Sequence, residues 1–194
     1  MASWSIDSFQ PEVQRFALGR GVGYLNDIQG FADELMYPAL AGSSCKLVIM
    51  HSAQGRGIAD LHGHLTGSSA LDAIIRYFDA RLPQLERAGI GRERLILDPG
   101  MGYFLSPQPE ASLSVLAQLA RLKAAFAMPL LVSVSRKPFL RATTGLPAEA
   151  LGAASLAAEL HAVACGADIV RTHSPAELRS ALQVTRALAR FSPS

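Results

Sequence analysis

Six short apolar runs, each ending in a polar residue and each followed by a helix-forming segment, constrain this 194-residue chain more than any other feature. The clearest is Arg94 to Gly102, RLILDPGMG. Leu95, Ile96 and Leu97 do not alternate with polar residues, as expected of a strand covered on both faces. Asp98 ends the run, Pro99-Gly100 breaks it, and Gly102 lets the backbone approach a ligand closely. Asp98 also suits a plainer role, capping the turn that follows.

The remaining runs repeat the pattern. Trp4 to Asp7 is a strand-like start, followed by a helix from Pro11 through Arg20 that stops at Gly21. Val22 to Asp27 is the second strand, and residues 33–41 suit a short helix. Lys46 to Met50 is the third strand, ending in His51-Ser52. The segment from Gln54 to Gly67 is longer than most connections and reads as a lid or mobile active-site loop. Ser68 to Ala88 has Leu71, Ile74, Ile75, Phe78, Leu82 and Leu85 at helical spacing, with Gly89 as its stop. After the fourth strand, Pro109 to Ala127 reads as one helix with Leu113, Leu116, Leu119, Leu122 and Phe126 on its core face. Pro129 to Ser135 is the fifth strand. Pro138 opens a helix, and residues 140–150 form a loop with some helix. Ala153 to Cys165 is a small-residue helix, Ala167 to His173 the sixth strand, and Pro175 to Arg190 the last helix.

Alternating strands and helices imply a parallel sheet with right-handed crossovers, hence an α/β protein. The length suits one domain spanning 1–194, and 49% hydrophobic with 18% charged residues is ordinary for a packed core. A net charge of +2 without a basic run disfavours nucleic acid. No apolar run reaches the roughly 20 residues a bilayer requires, so no membrane contact is expected. The N-terminus has no secretory pattern. Cys45 and Cys165 lack metal-ligand partners at useful spacing and read as free thiols in a reducing cytoplasm.

The strand ends carry Asp7, Asn26, His51, Asp98, Ser135 with Lys137, and Arg171 with His173. His51 alone reads as a satisfied polar residue, Arg136 as a solvent-facing or ion-paired one, and Met50 and Met101 as core. As a set, the strand ends converge on one mouth in a parallel barrel. Asp7, Asn26 and Asp98 offer acceptors to a flat, multi-donor heterocycle such as an aminopyrimidine. Lys137 can donate to a ring carbonyl or nitrogen. Arg171 and His173 suit phosphate oxygens. There is no Gly-rich phosphate loop, dinucleotide fingerprint or Ser-His-Asp motif.

These residues resemble dihydropteroate synthase, through SIDSFQPE at 5–12, GYLNDI at 23–28, LVIMHS at 47–52, LILDPGMG at 95–102, LLVSVSRK at 130–137 and IVRTH at 169–173. The resemblance runs nearly end to end and implies a TIM (β/α)8 barrel. The six βα units correspond to the family's strands 3–8, so a partial barrel lacking the first two units is expected. The implied reaction joins 4-aminobenzoate to a hydroxymethyl-dihydropterin diphosphate, giving dihydropteroate and diphosphate for folate biosynthesis. By resemblance, Asp7, Asn26, Met50, Asp98, Gly102 and Lys137 hold the pterin, with Asp7, Asp98 and Lys137 acting in catalysis. Ser135, Tyr103 and Phe104 lie by the aminobenzoate, and Arg171 and His173 bind diphosphate. Magnesium is the implied cofactor, and the family's asparagine for it falls in the N-terminal part this chain lacks. The implied partners are the two small substrates and a second copy in a homodimer. SIDSFQPE, YLNDIQGF and the Tyr103-Phe104 turn are similar to the sulfonamide-insensitive, Sul-type synthases. Two other readings stay open: a non-catalytic remnant with a pterin pocket, poorly stable or paired with another copy, and a methyltetrahydrofolate:corrinoid methyltransferase-like barrel.

Overall fold

A computed structural model describes residues 3–53 and 67–191. Its strands are β1 (Ser5–Asp7), β2 (Tyr24–Asp27), β3 (Lys46–Met50), β4 (Leu95–Asp98), β5 (Leu131–Val132) and β6 (Ile169–Val170). Between and after them run α1 (Pro11–Gly19), α2 (Tyr37–Ala41), α3 (Gly67–Arg87), α4 (Pro109–Ala117), α5 (Leu119–Phe126), α6 (Pro138–Thr144), α7 (Gly152–Ala164) and α8 (Pro175–Ala189). The first four strands pair in sequence order, all parallel, and β5 pairs parallel with β6. A parallel bridge between Leu97 and Leu130 carries the sheet from β4 to β5. The result is an arc of six parallel strands wrapped outside by helices, a partial barrel.

Burial on both faces explains the unbroken apolar runs. Leu47 and Ile49 of β3, Leu95 and Leu97 of β4, and Leu130 and Val132 around β5 join the core beneath the helices. The residues between them, Val48, Ile96 and Leu131, pack together on the inner side, with Tyr24 and Ile169 at their margin. Successive strand residues point to opposite faces, so one sequence supplies both layers. The helical spacing of α3 is realised in Leu71, Ile74, Phe78, Leu82 and Leu85, all buried.

Three expectations change. The helix over 109–127 breaks at Gln118 (φ −108°, ψ 14°). Gln118 Nε2 donates to Ser114 Oγ (2.8 Å) and to the Ser114 carbonyl (3.2 Å), drawing the turn closed. Ala111 and Val115 take the core face of α4, and Leu113 is 38% exposed instead of buried. β5 and β6 are each two residues long, shorter than 129–135 and 167–173. Pro129 has no N–H to donate, and the chain turns at Arg136, whose φ is +57°. The expected lid, Gln54 to Gly67, lies almost wholly outside the described residues.

The turn after β4 depends on one glycine. Gly100 has φ +68°, and a Cβ there would run into the His51 backbone carbonyl oxygen. That close approach couples the β3 and β4 ends, where the His51 N–H also donates to the Asp98 carbonyl at 2.8 Å. Gly100→Ala adds left-handed strain of about 1–3 kcal/mol to a clash with fixed backbone. It should lower the urea unfolding midpoint sharply, whereas Gly152→Ala, at an open helical position, should not.

Candidate active site

The inner positions of the arc continue in steps of two beyond the apolar layer. Tyr24 leads to Asn26, Val48 to Met50, Ile96 to Asp98, Leu131 to Ser133 and Ser135, and Ile169 to Arg171 and His173. The parallel register aligns these ends: Asp7 pairs with Asn26, and Met50 with Asp98. They converge on a cavity of about 600 Å³, lined also by Ile28, Met101, Phe104, Arg136, Lys137 and Thr172. Its size falls within the usual range for a small-molecule site, about 300–1,000 Å³.

One half of the mouth is built around Asp98. The residue is buried, and Gly100 N–H donates to its Oδ1 at 2.9 Å. Burial pushes its carboxyl up to about 6, while the Gly100 N–H and the Lys137 and Arg171 charges oppose the rise. Burial lowers the Lys137 ammonium, and Asp98 partly restores it. Lys137 Nζ stands 5.2 Å from the centre of the Phe104 ring, a cation–π contact. Asn26 Oδ1 is a buried acceptor with no partner. Such an atom costs free energy until a donor meets it, and Asn26 lines the cavity.

The other half carries cations. Arg171 Nη1 donates to Asp7 Oδ2 at 2.6 Å. This joins β6 to β1, between which no backbone pairing is seen among the described residues. Both side chains are more than a third exposed, so the pair contributes at most about 1 kcal/mol and can be opened by a ligand. Ser135 Oγ accepts from the His173 backbone N–H at 3.3 Å and lies 3.0 Å from His173 Nδ1. The mouth therefore presents an acceptor-rich pole with one amine and a basic, hydroxyl-containing pole.

The pterin-binding enzyme family model matches residues 2–173. Dihydropteroate synthase type-1 of Escherichia coli is 63% identical over 187 residues, which is 96% of this chain and 67% of that protein. The chain belongs to the dihydropteroate synthases. The type-2 enzyme of the same organism is 56% identical over 95% of the chain and 67% of its own length. Dihydropteroate synthase from Stenotrophomonas maltophilia superposes with a TM-score of 0.89 at 32% identity, covering 97% of this chain and 70% of that one. The Xanthomonas albilineans enzyme in complex with 7,8-dihydropteroate gives 0.84 at 32% identity, over 97% and 69% of the two chains. This synthase chain thus spans about two thirds of the length of the curated relatives it matches. The partial barrel agrees with that share.

Most residues singled out in the synthase sequence line the cavity: Asp7, Asn26, Met50, Asp98, Phe104, Ser135, Lys137, Arg171 and His173. Two sit differently. Gly102 is outside the lining; a Cβ there would meet Lys137 and Pro138 only at an ordinary 3.5 Å, and it is the φ of +71° that favours glycine. Tyr103 is 42% exposed and outside the lining. Asp7 and Arg171, assigned to separate poles by resemblance, meet in one ion pair. Ser133, Thr172 and Arg136 also line the cavity, and the two-residue period could have found Ser133. Glu159 was missed; its signal was a carboxylate among the small residues of α7. Among the described residues no group of three or more His, Cys, Asp or Glu could hold a metal ion.

His51 is a supporting residue, as its plain reading held. It is buried, its Nδ1 lies 3.2 Å from the Pro99 carbonyl, and its ring meets Tyr77 edge-on. Desolvation lowers its imidazole to about 4. The folded state therefore binds fewer protons than the unfolded state between about pH 4 and 6.5. The stability tied to neutral His51 is present above that window and lost as pH falls through it, by up to about 3 kcal/mol. Urea titrations at pH 7 and pH 4 should show the wild type losing more stability than His51→Gln across this interval.

Proposed function

We propose that this chain is a dihydropteroate synthase that displaces diphosphate from a hydroxymethyl-dihydropterin diphosphate with the amine of 4-aminobenzoate. The observation that carries the reading is the buried, unpartnered Asn26 Oδ1 beside Asp98 and Lys137 in one cavity. A pterin ring edge supplies amino and ring N–H donors to Asn26 Oδ1 and the Asp98 carboxylate, and Lys137 donates to a ring nitrogen or carbonyl. As the carbon–oxygen bond to diphosphate breaks, positive charge spreads into the ring. Asp98 and Asp7 are fixed where they stabilise that charge. Arg171 leaves Asp7 to meet the diphosphate, with His173 beside it. The free Cys45 and Cys165 fit work in the cytoplasm. Exposed Val184, Leu188 and Phe191 around the end of α8 fit pairing of two copies.

The test is binding followed by turnover. The chain should bind 6-hydroxymethylpterin in calorimetry, and condensation with 4-aminobenzoate should yield dihydropteroate. Ring binding needs the Asp98 carboxylate as acceptor, so affinity should fall as pH drops below about 6. Asp98→Asn should lose about tenfold or more at pH 7 and flatten that pH profile, the scale of a charge-assisted hydrogen bond. No pterin binding by the wild type sinks the proposal. The open arc, with β1 and β6 not paired to each other among the described residues, favours a second reading: a chain that holds pterin without turning it over. Binding without product would select it.

Phe104 lines the cavity together with Ser135, and the centre of its ring lies 5.2 Å from Lys137 Nζ. We propose that this bulk discriminates against sulfonamides, whose substituent extends past the outline of 4-aminobenzoate, as in the Sul-type enzymes. In a form of the enzyme that turns over, Phe104→Ala should lower the sulfamethoxazole concentration for half inhibition at least tenfold more than it changes the KM for 4-aminobenzoate. Equal changes in both would remove Phe104 from this role.

A further inference from the structure

Behind the basic pole lies a carboxylate that the proposed chemistry does not use. Glu159 sits on the face of α7 that also carries Ser155, Ala158 and Ala162, all buried. It is 2% exposed, and its Oε1 has no partner. A buried charge among small residues costs stability unless hydrogen-bonded. Ser135 and Thr172 line the same small cavity as the carboxylate; His173 attracts it, and Glu177 of α8 repels it. Burial pushes the carboxyl up, and the two hydroxyls and His173 oppose that rise. A cavity of about 10 Å³ between these groups and Ser174 is about one water in size.

The hydroxyl of Ser135 has one proton and two lone pairs. The His173 backbone N–H can only donate, so it occupies one lone pair. If the Ser135 proton goes to Glu159, the contact with His173 Nδ1 at 3.0 Å must run the other way, from ring to hydroxyl. Nδ1 then carries the proton, and Nε2 is the ring nitrogen left for the cavity. Nε2 donates to an anion only when it too carries a proton.

We propose that Glu159 is a positioning residue for the anion-binding pole: it accepts a hydrogen bond from the Ser135 hydroxyl and so sets His173 as an Nδ1–H donor to Ser135. This rests on the reading of Arg171 and His173 as the diphosphate contact. It adds a residue on α7, away from the strand ends, that decides how the His173 ring is protonated and turned.

The experiment uses the full chain labelled with ¹⁵N-histidine, with His173→Gln to assign the signal. Neutral His173 should appear as the Nδ1–H tautomer in the wild type and shift toward Nε2–H in Glu159→Ala and in the isosteric Glu159→Gln. Calorimetry with inorganic diphosphate should show affinity about tenfold weaker in both variants, the scale of one charge-assisted contact. Binding of 6-hydroxymethylpterin should be unchanged, which also establishes that the variants fold. A wild-type Nε2–H tautomer overturns the proposal. So does diphosphate affinity that neither variant weakens, with the anion-binding reading left standing. A wild-type chain that takes up no diphosphate overturns that reading, and this proposal with it.

Discussion

Everything in this site follows from strands that are buried on both faces. Because side chains alternate strictly along a strand, every second residue belongs to the barrel interior whether it is apolar or charged. Val48, Ile96 and Leu131 fill the floor, and the next inner positions, Met50, Asp98 and Ser133, form the wall of the mouth. A one-residue slip in β4 would exchange Asp98 for Leu97 and place a carboxylate under the helices. The parallel ladder from β1 to β4 prevents that slip, because each strand's outward residues are locked into the helical core. Site geometry and core packing are thus one constraint, and the site cannot be moved without remaking the core.

The mouth then gains its chemistry from unequal burial. Asp98 and Lys137 are withdrawn from solvent, so each is electrostatically sensitive to the other and to whatever ring lies between them. Asp7 and Arg171 remain exposed, where their ion pair contributes little. That difference divides the labour. The buried pole is fixed and, on the proposed function, would read the shape and donors of a ring, while the exposed pole could exchange Asp7 for a more highly charged anion at small cost. The same ion pair is also the link seen across the gap between β1 and β6, so anion binding at Arg171 would loosen the arc at its open side.

Much of this was legible in the sequence because the signals were local. Non-alternating apolar runs, a polar residue at each end and a proline or glycine after it placed Asp7, Asn26, Asp98, Lys137, Arg171 and His173 on one rim. What escaped depends on contacts made by tertiary structure. The break at Gln118 comes from side-chain hydrogen bonds to Ser114 that helical periodicity does not register. The shortness of β5 and β6 reflects where neighbours stop pairing and where Arg136 turns. Gly102 reads as a ligand contact because glycine permits close approach, but it lies outside the cavity lining, and its φ of +71° is what favours glycine there. Glu159 sat in a stretch of alanines that reads as helix packing, and only the fold brings it behind Ser135.

Burial at the β3–β4 junction has one further consequence, because it acts on two groups with opposite signs. Asp98 is raised to about 6 and His51 lowered to about 4. Between about pH 4 and 6 the native state takes up more protons at Asp98 than the unfolded chain does, which stabilises the fold as pH falls. Over nearly the same interval it refuses a proton at His51, which destabilises it. Each effect has a ceiling of about 3 kcal/mol, so the two largely offset. The backbone hydrogen bond from His51 to Asp98 keeps both groups in the same dry environment, so a change in solvent access there shifts both. The junction can therefore hold a carboxylate whose ionisation changes near pH 6 while its own net contribution to stability stays nearly level across the same range.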